Sequence, residues 1–134
     1  SFLGTLSMKI VIMRHGDAHC VLNHKVTTRE AIHRITETRG RPGAAAIVDD
    51  SGILIGIFTD GSLRRCLELG TEFLAHPIST VMSKNPKVVS PNKLVQETAR
   101  IMKDYSIDQV IVVDSDNRPI GLVDIQDLLS NGIK

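Results

Sequence analysis

The chain has 134 residues, of which 42% are hydrophobic and 23% charged, and this is the composition of one globular domain. Its formal net charge is +1, which argues against nucleic acid or a membrane surface as a partner. Tryptophan is absent, and only one Tyr and three Phe are present. A base-stacking platform for single-stranded nucleic acid is therefore not expected.

The N-terminal segment SFLGTLSMKIVIM is too short, and too often interrupted by polar residues, to be a signal peptide or a membrane-spanning helix. Because the sequence starts without Met, we interpret residues 1–11 as a linker from an upstream domain. Cys20 and Cys66 stand at no metal-binding or redox spacing. We predict that both are reduced thiols of a cytoplasmic protein.

An apolar run leads into Arg14-His15-Gly16, a motif typical of the start of a histidine phosphatase, in which the His accepts the phosphoryl group. That reaction also needs a second, distant His and further Arg residues. His76 arrives too soon, and no strand–helix alternation predicts the parallel sheet that would position it. We keep the phosphatase as a remote alternative and predict a loop at Arg14–Gly16.

Three residues of types that ligate metals, His15, Asp17 and His19, fall within this loop. Without neighbouring groups to orient them, such side chains are more often solvated than metal-bound. The sequence therefore predicts no metal site.

Residues 45–63 and 110–128 form an internal repeat at a fixed offset of 65 positions. Each copy has an apolar β-branched run, a turn with Asp, a second apolar run and a polar turn, which predicts a β-hairpin followed by a helix. Met13 and Met82 precede the two hairpins at corresponding places. The identical pairs are Val48 and Val113, Asp49 and Asp114, Ile55 and Ile120, Gly56 and Gly121, and Leu63 and Leu128.

A short strand and a helix are predicted upstream of each hairpin. Thr27 and Glu30 are spaced as a capping box for the first helix, and Ser90-Pro91 supplies a cap and a first-turn Pro for the second. The strands are predicted near residues 20–22 and 87–89. The repeat unit is therefore strand, helix, strand, strand, helix, and it occurs twice.

Neither copy can bury both faces of a three-stranded sheet by itself. The two copies are therefore predicted to pack on each other as one pseudo-symmetric α+β domain. We place the first repeat at residues 12–72 and the second at residues 73–134.

The strings IVDDSGILIGIFTDGSL and VVDSDNRPIGLVDIQDL resemble the two motifs of a cystathionine β-synthase (CBS) domain pair. That resemblance implies two repeats packed sheet to sheet, with ligand clefts between them. More narrowly, GIFTDGSLRR and GLVDIQDLL resemble the C-terminal regulatory region of arabinose-5-phosphate isomerases. In that family the catalytic residues belong to an upstream sugar-isomerase domain, so the resemblance implies no catalytic residue in this chain.

The last turn of each repeat in CBS pairs recognises the ribose of a nucleotide with a hydroxyl and, three residues later, a carboxylate. The resemblance maps this pair onto Thr59 and Ser62 in the first copy and onto Asp124 and Asp127 in the second. Ser62 stands where the isomerase tails usually carry an acid, and Asp124 stands where a hydroxyl is usual. Asp60 is expected to cap the following helix, to contact a ligand, or to do both.

Arg64 and Arg65 follow in the first copy, either as a phosphate-facing pair or, as is more usual, as a solvated helical turn. The loop at residues 39–43, with its Gly and Pro residues, is a candidate to overhang a cleft.

The resemblance implies a non-catalytic regulatory module that senses a nucleotide or nucleotide-sugar, without a resident cofactor. Its expected partners are a second copy of itself and an upstream isomerase domain that interconverts ribulose 5-phosphate and arabinose 5-phosphate. That reaction feeds synthesis of the octulosonate sugar of lipopolysaccharide or capsule. The alternative is a purely structural dimerisation module without a ligand.

Overall fold

The computed structural model describes residues 13–132, so the linker predicted at residues 1–11 lies outside the described residues. The fold class is α+β, as predicted. The strands are β1 (Val21–Asn23), β2 (Ala44–Val48), β3 (Leu54–Thr59), β4 (Ser83–Lys84), β5 (Val88–Val89), β6 (Gln109–Val113) and β7 (Pro119–Asp124). The helices are α1 (Thr28–Glu37), α2 (Asp60–Leu67), α3 (Val95–Asp104) and α4 (Ile125–Ser130), and short 3₁₀ turns form at Gly16–Ala18, Glu72–Ala75 and Ile78–Thr80.

Two sheets with the same internal pairing form the centre of the molecule. The first has the order β1-β2-β3-β4 and the second the order β5-β6-β7. In each, a parallel pair (β1 with β2, β5 with β6) is followed by an antiparallel hairpin (β2 with β3, β6 with β7). The predicted strand, helix, strand, strand, helix unit is thus confirmed in both copies.

The two repeats exchange their leading segments. Strand β4, near the start of the second repeat, pairs with β3 of the first sheet. Arg14, near the start of the first repeat, forms an antiparallel bridge with Leu122 of β7, through the backbone bonds Arg14 N–H to Leu122 C=O at 2.8 Å and Leu122 N–H to Arg14 C=O at 2.9 Å. Each sheet is therefore completed by chain from outside its own repeat.

The sheets pack face to face, and each carries helices on its other face. All five residues of β2 are buried, which requires cover on both sides. Its alternate residues Ala44 and Ala46 belong to a cluster with Ile111 and Leu122 of the second sheet. Ala45 and Ile47 instead pack in the cluster that contains helix α1. The prediction that neither repeat buries its sheet alone is confirmed.

Two glycines leave room for the methionine side chains of the exchanged segments. A Cβ atom placed on Gly56 would overlap the side chain of Met82, and a Cβ atom on Gly121 would overlap the side chain of Met13. The predicted correspondence of the two methionines is confirmed. Glycine has no side chain, so each methionine can occupy the volume that a side chain at that position of the strand would fill.

The hairpin turns are also equivalent. Asp49 Oδ1 accepts hydrogen bonds from the backbone N–H groups of Ser51 and Ile53 at 2.8 and 3.0 Å. Asp114 Oδ1 accepts from Asp116 and Arg118 at 2.9 and 3.0 Å. The assignment of both aspartates to hairpin turns is confirmed.

The predicted helix starts are confirmed for α1 only in part and are wrong for α3. Thr27 Oγ1 accepts from the N–H of Glu30 at 3.2 Å, which is one half of a capping box. Helix α3 begins at Val95, with Leu94 in the cap position, rather than at Ser90-Pro91. The Lys93 N–H donates to the Ser90 carbonyl, so residues 90–93 form a separate turn before the helix. Among residues 13–132, none of the helices has the length and apolar character needed to cross a bilayer.

Candidate functional site

The first cleft lies where β3 runs into α2. It has a volume of about 570 Å³ and receives residues from both repeats. One wall is the corner at residues 59–65, and residues 106–109 of the second repeat form the facing wall. The lining residues are Ile57, Thr59, Asp60, Gly61, Ser62, Arg64, Arg65, Ser83, Pro86, Lys87, Ser106, Ile107, Asp108 and Gln109.

A reciprocal capping box shapes the corner of the first cleft. Thr59 Oγ1 accepts from the Ser62 N–H at 3.2 Å, and Ser62 Oγ accepts from the Thr59 N–H at 3.4 Å. Thr59, rather than Asp60, is therefore the N-cap of α2, and Asp60 is the first helical residue. The capping role expected for Asp60 is wrong because the preceding hydroxyl already reaches the third helical N–H.

Three cationic side chains line the first cleft. The Arg65 guanidinium folds back over the first turn of α2, with Nη2 3.4 Å from Ser62 Oγ. Lys87 Nζ lies 4.1 Å from the centroid of the Tyr105 ring, and Arg64 lies on the same rim. Within residues 13–132, none of these three cations forms an ion pair.

The second cleft is the pseudo-symmetric counterpart at the junction of β7 and α4. It has a volume of about 370 Å³ and is lined by Arg14, Ala18, Arg39, Gly40, Asp127, Ser130 and Asn131. Residues 39 and 40 come from the loop predicted to overhang a cleft, and they lie at this one.

Arg14 spans the second cleft. Its Nε donates to Asp127 Oδ2 at 2.8 Å and its Nη2 to Asp127 Oδ1 at 3.1 Å, while Nη1 donates to the Gly40 carbonyl at 2.7 Å. The hydrogen bonds that it donates to Asp127 raise the pKa of the Arg14 guanidinium. Each of the three guanidinium nitrogens thus donates to a protein acceptor, and both oxygens of Asp127 are engaged.

Asp124, the last residue of β7, is only 8% exposed. Its Oδ1 caps α4 by accepting from the Gln126 N–H at 2.8 Å. Its Oδ2 accepts from Nε2 of Gln109 at 3.3 Å, and Gln109 itself lines the first cleft. The carboxylate is therefore satisfied by protein donors.

The structure thus divides the five predicted site residues. Thr59, Asp60 and Ser62 line the first cleft, and Asp127 lines the second. Asp124 is buried and is itself the N-cap of α4. Sequence reasoning missed Arg14 as the partner of Asp127, and it missed Lys87 and Gln109 as lining residues. The correspondence of Met13 with Met82 was the available signal, because it aligns Arg14 with Ser83 of the first cleft.

The loop after Arg14 holds an exposed ion pair and a buried histidine. Arg39 Nε donates to Asp17 Oδ1 at 2.9 Å. Neither ring nitrogen of His19 has a hydrogen-bond partner, and burial lowers the pKa of this imidazole to about 4. Within the part of the chain that the structure describes, no three His, Cys, Asp or Glu residues are grouped to hold a metal ion.

Both cysteines are free thiols. Cys20 is buried and Cys66 is half-buried, and burial raises the pKa of the Cys20 thiol. Their assignment as unpaired thiols is confirmed.

The CBS domain family profile matches residues 12–69 and again residues 78–133. Two matches that together span most of the chain, on two repeats packed sheet to sheet, define a CBS pair. The chain belongs to the CBS domain family.

Its curated relatives include arabinose 5-phosphate isomerases. The chain is 41% identical to KdsD of Pseudomonas aeruginosa over 96 residues, covering 72% of this chain and 29% of that protein. It is 32% identical to KdsD of Francisella tularensis over 131 residues, covering 94% of this chain and 39% of that protein. The chain therefore spans less than two fifths of the length of these relatives.

Among solved structures, the chain resembles the CBS domain pair of protein MJ0100, which was crystallised with 5′-methylthioadenosine and S-adenosyl-L-methionine. The TM-score is 0.80 at 23% identity, and the alignment covers 96% of this chain and 98% of that one. At this identity the likeness establishes the fold.

Proposed function

We propose that this chain is the regulatory CBS pair of an arabinose-5-phosphate isomerase and that it binds a nucleotide or nucleotide-sugar in the first cleft. The parent enzyme would interconvert ribulose 5-phosphate and arabinose 5-phosphate in the cytoplasm, for lipopolysaccharide or capsule synthesis. The KdsD relatives support the parent, and the adenosine-containing ligands of the MJ0100 pair support an effector that contains a nucleoside.

The single observation that carries a binding role is the composition of the first cleft. It combines an open volume of about 570 Å³, the start of helix α2 and cations that form no ion pair with any of residues 13–132. Helix N-termini favour anions because their first N–H groups and the helix dipole present positive charge. A phosphate of a nucleotide fits this end of the cleft.

The position of the cleft supports a regulatory role. Its walls come from the corner at residues 59–65 and from residues 106–109 of the other repeat, so a bound ligand touches both halves. Such a ligand shifts the arrangement of the repeats only to the extent that it binds one arrangement better than another. The segment at Met13–Arg14 pairs with the second repeat and is the path by which such a shift reaches the upstream chain.

Thermal-shift and calorimetric titrations with AMP, ATP, CMP and a CMP-linked sugar test the proposal. We expect at least one of them to raise the midpoint of unfolding, because a ligand that binds only the folded state stabilises it by mass action. Ser83→Trp, which fills the first cleft, should abolish the effect. Ser51→Trp, in an exposed hairpin turn, is the matched control and should retain it. The absence of stabilisation by all four at millimolar concentration would refute nucleotide sensing.

A structural dimerisation module is the second candidate. An apolar groove between α3 and α4 is lined by Ala99, Met102, Ile107, Ile125 and Leu129, among others, and Leu129 is 52% exposed. If the groove holds a second copy, Leu129→Glu should convert a dimer to a monomer in sedimentation velocity. An exposed control, Gln126→Glu, should leave the sedimentation coefficient unchanged.

A further inference from the structure

The two clefts differ in the charge of the side chains at equivalent positions. Ser62 and Asp127 correspond at the offset of 65 residues, and each faces an arginine. In the second cleft the arginine meets a carboxylate, at 2.8 and 3.1 Å. In the first cleft Arg65 meets the hydroxyl of Ser62, at 3.4 Å, and it forms no ion pair with any of residues 13–132.

The remaining charges increase this difference. Arg64 and Lys87 add two cations to the first cleft, against the exposed carboxylates Asp60 and Asp108. In the second cleft Arg14 is neutralised by Asp127, and Arg39 is paired with Asp17, 2.8 Å apart. The first cleft therefore has a net positive lining, and the second is internally neutral.

The hydroxyl groups of a ribose need an acceptor that the first corner does not offer. A carboxylate is the group that accepts two hydrogen bonds from a vicinal diol. Ser62 is only 4% exposed, and its Oγ already accepts from Thr59 and Arg65. Asp127, the carboxylate of the second corner, is closed off by Arg14. Neither of the two equivalent positions, 62 and 127, therefore presents a free carboxylate to a diol.

We propose that the CBS pair binds one ligand per chain, through a phosphate or pyrophosphate group held in the first cleft by Arg64, Arg65 and Lys87, and that the Arg14 side chain keeps the second cleft closed. This inference rests on the proposed function in taking the first cleft as the ligand site, and it specifies the ligand class. Recognition runs through the phosphorylated end of the ligand, so a nucleoside without phosphate does not bind.

Amide NMR of the ¹⁵N-labelled chain tests this placement, with inorganic pyrophosphate, CMP and cytidine as probes. Pyrophosphate and CMP should shift the signals of Gly61, Ser62 and Gln109 in a saturable manner. Cytidine should leave them in place. The signals of Gly40 and Asn131 in the second cleft should not move with any probe. The dissociation constant for pyrophosphate should rise with salt, as screening of exposed charges requires.

Arginine variants test the assigned groups. Arg65→Gln should weaken pyrophosphate binding roughly tenfold or more, the usual effect of losing a charge-assisted hydrogen bond. Arg65→Lys should recover part of the affinity, because a cation remains. Arg29→Gln, at an exposed arginine of α1, is the matched control and should bind as the wild type does. Arg14→Ala should open the second cleft and add probe-induced shifts at Gly40 and Asn131.

The outcomes separate this inference from the proposed function. If CMP shifts the second cleft, or both clefts equally, nucleotide sensing stands and the one-cleft inference is wrong. If pyrophosphate binds the first cleft while no nucleotide or nucleotide-sugar stabilises the chain, the phosphate site stands and nucleotide sensing is wrong. Pyrophosphate binding that Arg65→Gln, Arg64→Gln and Lys87→Gln all leave unchanged would overturn the assignment of the cations.

Discussion

The two clefts of this CBS pair share one backbone arrangement. They differ in the residue at the equivalent positions 62 and 127, which is a serine in one cleft and an aspartate in the other. Both corners are capped by their own polar residue, Thr59 or Asp124. The first corner leaves Arg65 without a carboxylate, whereas the second pairs Asp127 with Arg14. Residues that hold the repeat together, such as Gly56 and Gly121, are the same in both copies, whereas the polar residue at the cleft differs, Ser62 in one copy and Asp127 in the other.

The largest effect should come from the glycines that the two repeats share. Gly56→Val and Gly121→Val should each lower the free energy of unfolding by about 3 kcal/mol, because the new side chain overlaps Met82 or Met13 and the neighbouring backbone. Urea unfolding measures both. Gly61→Ala is the control, since its Cβ would meet only ordinary contacts, at 3.5 and 3.7 Å. A loss below about 0.5 kcal/mol in either valine variant, against the cost usual for overpacking, would contradict the symmetric seating.

The first repeat should contribute a pH dependence of the folding free energy that the second repeat lacks. His19 lies two residues before β1, whereas the residue two before β5 is Pro86. Burial lowers the pKa of His19 to about 4 in the folded chain, below the value of about 6.5 in the unfolded chain. The unfolded chain therefore binds more protons, and stability present above pH 6.5 is lost as the pH falls toward 4.

Between pH 7 and pH 5 this loss should amount to about 2 kcal/mol, measured by urea unfolding at the two pH values. His19→Leu should remove most of the dependence, and His15→Gln, at an exposed histidine of the same loop, should retain it. An unchanged pH dependence in His19→Leu would show that another group is responsible.

The hairpin turns should behave alike, unlike the clefts. Asp49→Ala and Asp114→Ala each remove an acceptor of two backbone N–H groups, and each should cost about 1.5 kcal/mol of folding free energy. Thermal or urea unfolding of the two variants gives the comparison. A difference of more than about 1 kcal/mol, which exceeds the usual spread for one hydrogen bond, would mean that the symmetry of the turns is only geometric.

The smallest effect should be the coupling of the arginines to the cleft corners. A double-mutant cycle with Arg14→Gln and Asp127→Asn should give about 1 kcal/mol of coupling, as expected for a half-buried bidentate pair. The equivalent cycle with Arg65→Gln and Ser62→Ala should give less than about 0.5 kcal/mol, because a neutral hydroxyl replaces the carboxylate. Equal coupling in the two cycles would remove the contrast between the clefts.

Much of the site could be predicted from the repeat. The resemblance to CBS pairs identified Thr59 and Ser62, and the offset of 65 residues aligns them with Asp124 and Asp127. The cation opposite Asp127 could not be found in this way, because Arg14 is 113 positions away along the chain and belongs to the segment that crosses to the other repeat. The start of α3 was also missed, since a Ser-Pro pair closes a turn as readily as it caps a helix.

The repeat unit, its duplication and the need for the two copies to bury each other's sheets follow from local sequence patterns, because hydrophobic period and turn residues act over short distances. The difference between the two clefts arises instead from contacts between segments that lie far apart in the chain. The ion pair of Arg14 with Asp127 forms because the exchanged segment brings Arg14 to the other repeat. No local sequence pattern encodes a contact between residues 113 positions apart.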